Sequence, residues 1–275
     1  MSNPRLWVLI PAYNEEARIG PTLESYAACL DRNYTGEYRL QVILNGCRDR
    51  TLEVVQNAAA RFPKIGWTVF DAPIGKGGAL IEGFRSAQHA DLVAYIDADG
   101  ATTPESFLSL VGRCAEADCV VGSRRLPGSV LPRRQPMRRI IMGRCFQMLV
   151  ACLFRLGVRD TQCGAKVVRR EALVRVLDAL HIADMAFDIN LLYSLKRTGC
   201  RLLEAPVEWA DQAGSTVSTF RTSLTMFLSV VRLRLTYSPL RGLVRAMEPL
   251  LALVYRVLRN PPPRKNVARE KQQPD

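Results

Sequence analysis

The sequence predicts an α/β fold: a mostly parallel sheet with helices on both faces. Three observations predict it. Over the first 122 residues, short apolar runs alternate with segments of helical spacing. The runs are apolar at nearly every position, as strands buried on both faces require. The segments that follow them are polar or glycine-rich, as expected of strand ends that hold a ligand.

The first strand is "LWVLI" (6–10), followed by a helix over 15–31. Asn14 reads as its N-cap, with Glu15 and Glu16 in the first turn where carboxylates suit the helix dipole. "LQVIL" (40–44) precedes a helix over 49–61, and "WTVF" (67–70) one over 76–90. That third helix opens on "GKGG", which resembles a phosphate-cradling turn but lacks Walker spacing. "LVAYI" (92–96) runs into "DADGATT", where Thr103 is placed to cap a helix over 104–116. "CVVG" (119–122) is the fifth strand. Helices follow at 134–156, near 170–180 and at 185–199, then a strand in "RLLEAPVEW" (201–209). Residues 219–259 are helical in propensity, divided at Pro239, and the charged, proline-rich end reads as disordered. The expected organisation is a domain over 1–218, an amphipathic, membrane-associating helical segment over 219–259 and a tail over 260–275.

Composition narrows the function. A net charge of +12 calls for an anionic partner. Two histidines and eight scattered cysteines with no C-x-x-C pair argue against zinc and fit a reduced, cytosolic setting. Arg144, Arg155, Arg232 and Arg234 interrupt the best apolar stretches, so no membrane span is expected. Between Cys119 and Arg159 there are nine arginines and no acid, and the guanidinium fork suits phosphate. Aromatic-interleaved basic strands and a helix-turn-helix signal are both missing, which turns the expectation from nucleic acid to a phosphorylated small molecule or lipid headgroup.

The chemistry concentrates at strand ends. Asp97 and Asp99 read either as a turn or as ligands of a divalent cation. Tyr13 beside Pro11 offers a stacking surface, and Glu15 a ribose or base acceptor. Asp160 and Asp188 are isolated acids. Asp188 shares a helix face with Leu191, Leu192 and Leu195, so it is either a buried ion pair or cap, or a contact to sugar hydroxyls or a cationic group.

In order, "VLIPAYNEE", "NGCRDRT", "GKGGAL", "YIDADG" and "VVGSR" resemble family 2 glycosyltransferases of the GT-A fold, across roughly residues 5–215. "RDTQCGAKVVRRE", "MAFDINLLYSLKRTG" and "EAPVEWADQAGSTV" resemble dolichyl-phosphate β-glucosyltransferases and bacterial polyprenyl-phosphate relatives. The resemblance implies inverting transfer of a hexose, glucose, from UDP-glucose to a polyprenyl phosphate, with Mg²⁺ or Mn²⁺ on Asp97 and Asp99. It implies a nucleotide-sugar pocket of Pro11, Tyr13, Glu15, Asn45, Lys76 and Asp97. Arg124, Arg134, Arg138, Arg139 and Lys166 are implied at the acceptor phosphate, and Asp160, Gln162 and Asp188 at the sugar. Asp99, Asp188 and Arg138 are the implied catalytic residues. An acceptor phosphate is already anionic, so no strong base is needed, which fits a chain with two histidines. Three positions depart from the pattern: "NGCR" for "DDGS", "DADGA" for "DADLQ" and "GST" for "GSK". The implied setting is peripheral, at the inner face of the cytoplasmic membrane, with an anionic surface and a membrane-protein partner. Two alternatives stand beside it: transfer to a glycolipid or polysaccharide lacking phosphate, and a non-catalytic, nucleotide-sugar-binding membrane adaptor.

Overall fold

The computed structural model describes residues 3–131, 137–182, 184–210, 219–239 and 242, the side chains at 138–139 and 219–224 aside. Seven strands make one sheet: β1 Leu6–Ala12, β2 Tyr38–Asn45, β3 Ile65–Phe70, β4 Leu92–Tyr95, β5 Cys119–Ser123, β6 Lys166–Arg169 and β7 Leu202–Pro206. Their order is β3-β2-β1-β4-β6-β5-β7. All neighbours are parallel except β6, which runs antiparallel to both β4 and β5. The helices are α1 Ile19–Asn33, α2 Thr51–Arg61, α3 Lys76–Ser86, α4 Pro104–Gly112, α5 Met137–Phe154, α6 Arg170–Val174, α7 Phe187–Arg197 and α8 Thr219–Thr236.

The pleat sends alternate side chains of each inner strand into opposite layers. Leu6, Val8 and Ile10 of β1 pack with Leu23, Tyr26 and Leu30 of α1, whereas Leu9 packs with Leu80 and Phe84 of α3. A fully apolar run is therefore the signature of a strand covered on both sides, and the predicted α/β sandwich is the observed one. Thr103 caps α4 as expected, its Oγ1 accepting from Ser106 N at 3.4 Å.

Several elements differ from expectation. The first helix begins at Ile19, not at residue 15, and Asn14 does not cap it. Asn14 has φ 54°, and its Oδ1 accepts from Arg48 N at 2.8 Å, tying two strand-end loops together. The helix near 170–180 is α6 followed by a separate 3₁₀ turn at Leu177–Ala179. β6 was not expected as a strand at all. It has only four residues and opens on a lysine.

The described part of α8 packs on the domain: Val230 and Leu233 are fully buried against the α7 side of the core. Beyond α8, the Tyr237 hydroxyl pairs with Ser194 at 2.8 Å and accepts from Asn190 Nδ2 at 3.2 Å. Among the described residues no helix is long and apolar enough to cross a membrane. Most of the segment after Pro239 and the whole 260–275 tail lie outside the described residues.

Candidate active site

β4 stops at Tyr95, and its carboxyl end carries Asp97 and Asp99. The loop is a genuine turn: Gly100 has φ +68°, and Asp99 Oδ1 accepts from Ala101 N at 3.0 Å. Helix α1 braces it from below. Thr22 Oγ1 lies 3.2 Å from Ala98 O, and the Tyr26 hydroxyl donates to Thr102 O at 2.8 Å. The turn and the acidic pair are thus one structure, with Gly100 supplying the backbone conformation that presents Asp99.

Asp97 is held from two sides. Lys76, the first residue of α3, donates to its Oδ1 at 2.6 Å. The backbone of Gly164 lies so close that a Cβ there would overlap Asp97 Oδ2. Burial by itself raises the Asp97 pKa, but Lys76, with Lys166 and Arg124 further off, outweighs it and the net direction is down. Asp99 goes the other way, raised by burial and by the like charge of Asp97.

Both carboxylates are half-buried, and each keeps its Oδ2 without a hydrogen bond among the described residues. Two hard, anionic oxygens without a hydrogen bond among the described residues fit Mg²⁺ or Mn²⁺. Among the described residues no group of three potential ligands forms around them. That suits a cation completed by water and substrate phosphate rather than by an all-protein cage.

The loops after β1 and β2 are clasped together beside this pair. Glu15 N donates to Thr51 Oγ1 at 2.8 Å, and Arg50 N donates to Glu16 Oε2 at 2.8 Å. Arg18 grips the Glu15 carboxylate with both fork nitrogens at 2.7 Å. Burial raises the Glu15 pKa, Arg18 opposes it, and Asp99 and Asp97 add to the rise. Tyr13 stands open at the end of β1, 42% exposed, next to the half-buried Pro11. Asn45 is buried, and its Oδ1 accepts from Ile74 N at 2.7 Å, fastening the loop before α3.

Beneath the pair lies a buried, charged floor. Lys166 is fully enclosed and donates to Cys163 O at 2.7 Å and to Asp188 Oδ1, which also accepts from the Tyr95 hydroxyl. Tyr95 and Lys166 face each other across β4 and β6. Asp160, equally enclosed, takes the Arg124 fork at 2.7 and 2.8 Å and the Arg124 amide at 3.0 Å. Its own amide donates to Glu204 Oε1 at 2.8 Å, and the Arg124 guanidinium lies over Trp209 at 5.1 Å. Burial pushes the Asp160 pKa up, but Arg124 overrides it and the net direction is down.

These pairs engage Arg124, Asp160, Lys166 and Asp188, the residues expected at the acceptor phosphate and the sugar. Each charge is spent on a partner within the protein, and three of the four have almost no exposed surface. The ion-pair reading of Asp188 is the observed one. Gln162 differs: its Nε2 is enclosed and has no hydrogen-bond partner among the described residues. Arg134 lies outside the described residues, and Arg138 and Arg139 are described only as backbone in the first turn of α5.

The profile of glycosyl transferase family 2 matches residues 7–177, more than half of the chain and every loop just described except the β7 side. The chain belongs to glycosyl transferase family 2. It is 31% identical over 240 residues to a dolichyl-phosphate beta-glucosyltransferase of Trichomonas vaginalis, covering 83% of this chain and 70% of that one. To the dolichyl-phosphate beta-glucosyltransferase of Dictyostelium discoideum it is 30% identical over 250 residues, covering 86% and 76%. Among solved structures it is similar to glucosyl-3-phosphoglycerate synthase from Mycobacterium tuberculosis in complex with Mn²⁺, UDP and glucosyl-3-phosphoglycerate. That TM-score is 0.63 at 20% identity, over 84% of this chain and 80% of that one, a GT-A fold in common.

In this glycosyltransferase the sequence concealed several residues that shape the site. Gly164 is one glycine among 18, and only the approach of Asp97 gives it meaning. Thr22 and Tyr26 read as ordinary positions of an amphipathic helix. Tyr95 left a faint signal, as the one hydroxyl within an apolar strand. Arg125 stands next to Arg124 but is exposed, and it meets Gly143 O at 3.3 Å rather than a carboxylate. Concavity does not locate the site either. A cavity of about 690 Å³ between α6, α7 and the end of α8 has no acid in its lining.

Proposed function

We propose that this glycosyltransferase transfers glucose from UDP-glucose to the phosphate of a polyprenol, with inversion, as a peripheral protein at the inner face of the cytoplasmic membrane. The observation that carries the reading is the pair Asp97 and Asp99 beside Lys76 at the carboxyl end of β4, each carboxylate with one oxygen that has no hydrogen bond among the described residues. The names of the dolichyl-phosphate relatives support the acceptor class, and the Mn²⁺ and UDP held by the mycobacterial synthase support the metal and nucleotide.

Asp97 and Asp99 would hold Mg²⁺ or Mn²⁺, whose charge stabilises a departing nucleoside diphosphate. Lys76, at the start of α3, meets the donor phosphates where the helix terminus also favours negative charge. Tyr13 gives the base a flat surface, and Glu15 accepts hydrogen bonds from base or ribose. Gln162 is kept as a sugar contact, its enclosed Nε2 being without a partner among the described residues. Arg125 takes the phosphate contact expected of Arg124, supported by the rest of the basic segment with Arg134, Arg138 and Arg139. Its pKa is lowered, first by burial and then by the neighbouring Arg124 and Arg144, against the pull of Asp160 and Glu204. The acceptor phosphate is itself the nucleophile, so positioning and electrostatics do the work and no side-chain base is needed.

Purified protein with UDP-glucose, Mg²⁺ and a polyprenyl phosphate is expected to release UDP and form a lipid-linked hexose. Asp99→Ala and EDTA each abolish release, and Arg125→Ala raises the acceptor KM at least tenfold with the donor KM unchanged. Failure of every polyprenyl phosphate across a panel of nucleotide sugars overturns the reading. Equal transfer to a phosphate-free glycolipid replaces the acceptor.

A further inference from the structure

The membrane contact was expected in residues 219–259, but the described part of α8 turns Val230 and Leu233 into the core. α5 does the opposite. Its inner side is buried at Val150 and Phe154, while Met137, Ile141 and Met148 are 70%, 54% and 69% exposed, and Cys145 and Cys152 are exposed with them. Spacings of four and seven residues put these five side chains on one side of the helix, an apolar stripe about 80° wide. The helix is therefore apolar on both sides, and its outer side lies open to solvent.

We propose that the outer face of α5 is the surface by which the protein docks on an anionic lipid bilayer. The inference rests on the membrane-peripheral reading above and names the part of the molecule that performs it. Charge complementarity selects the occupant. From Cys119 to Arg159, the stretch that contains α5, there are nine arginines and no acidic residue, and Arg144 borders the stripe. An apolar stripe in a basic surround matches acyl chains beneath anionic headgroups. The flanking elements continue the surface. Val130 and Leu131, just before α5, are 51% and 43% exposed, and Phe227 of the adjoining α8 is 44% exposed.

The position of α5 gives the docking a purpose. Arg125 reaches Gly143 O at 3.3 Å, and Gln147 Oε1 accepts from Thr161 Oγ1 at 3.2 Å, in the loop that carries Asp160, Gln162 and Gly164. A bilayer against the outer face of α5 therefore lies one helix diameter from the site, and a lipid phosphate at its surface has a short path to Arg125.

The test is co-sedimentation of the full chain with phosphatidylcholine vesicles, with and without about a third phosphatidylglycerol, for wild type and Ile141→Glu/Met148→Glu. Wild type is expected to bind the anionic vesicles, weakly at high salt, and the double variant to bind at least tenfold less. Ile141→Leu/Met148→Leu retains binding, and an unchanged thermal melting midpoint shows that the Glu variant is folded. Equal vesicle binding by wild type and Glu variant overturns the proposal. So does a wild-type dimer that the Glu substitutions convert to monomer without loss of vesicle binding, which makes the stripe a self-association face. Transfer to a short, detergent-free prenyl phosphate is measured in parallel. Loss of vesicle binding with no transfer by any variant removes the proposed reaction and leaves the docking surface standing. Transfer with stripe-independent binding does the reverse.

Discussion

Replacing Gly164 by Ala puts a methyl group into the space of Asp97 Oδ2, and that oxygen is already fixed through its carboxylate by Lys76. Neither side can yield freely, so Gly164→Ala is expected to cut UDP release at least a hundredfold and to lower the melting temperature, read by coupled assay and by calorimetry. Asp160 carries a different signature. Its folded pKa is depressed, so its pairing with Arg124 contributes stability above the ordinary aspartate pKa of about 3.9 and loses it as pH falls through the depressed value. Wild-type stability should fall across that acid window. Asp160→Asn should be less stable at pH 7 and lack that component of the fall, as urea titrations at stepped pH would reveal. Asp97 and Asp99 were legible because a carboxylate pair at a strand end stands out in any apolar run. Asp160 and Lys166 were legible as unusual but not in their roles. Their partners are 36 and 22 residues away, and nothing local says which charge a buried side chain will meet.

β6 shows why an element can be missed. Four residues with one apolar pair fall below any periodic signal, and only its two neighbours make it a strand. Its first residue, Lys166, was expected to face a ligand. Pairing opposite Tyr95 turns it inward instead, onto α7, where Asp188 waits. Removing the cation leaves a buried carboxylate uncompensated, at a cost of about 3–5 kcal/mol. Lys166→Met is expected to lose stability on that scale in urea unfolding, and Lys166→Met/Asp188→Leu to recover much of it. A double variant no more stable than the single one would mean that the pair is not what joins β6 to α7. The early helix start has a similar lesson. "YNEE" has the composition of a capped first turn, but Asn14 and Glu16 are drawn to the loop after β2, and the helix waits for Ile19.

At the scale of the whole molecule, the sheet joins two stretches of chain with different duties. The loops after β1, β2 and β4 and the start of α3 surround the acidic pair, while Arg124, Asp160, Lys166 and Asp188 bring the floor. The alternation of strands and helices made the first stretch readable almost element by element. The second depends on contacts between distant segments, and its pattern held only as a set of family-like blocks. β6 threads between the two, returning to pair with β4 before β5 can be joined through it to the rest. That threading sets a timetable for biosynthesis. A nascent chain of about 160 residues has all its donor loops but presents β4 as a bare edge, and it should be sensitive to trypsin and prone to stick to its neighbours on the polysome. A fragment ending at residue 160 should show this, and one ending at residue 210 should resist. Until residue 164 has left the ribosome, the acidic pair has no glycine against it, so its final geometry is a late event in the making of the chain.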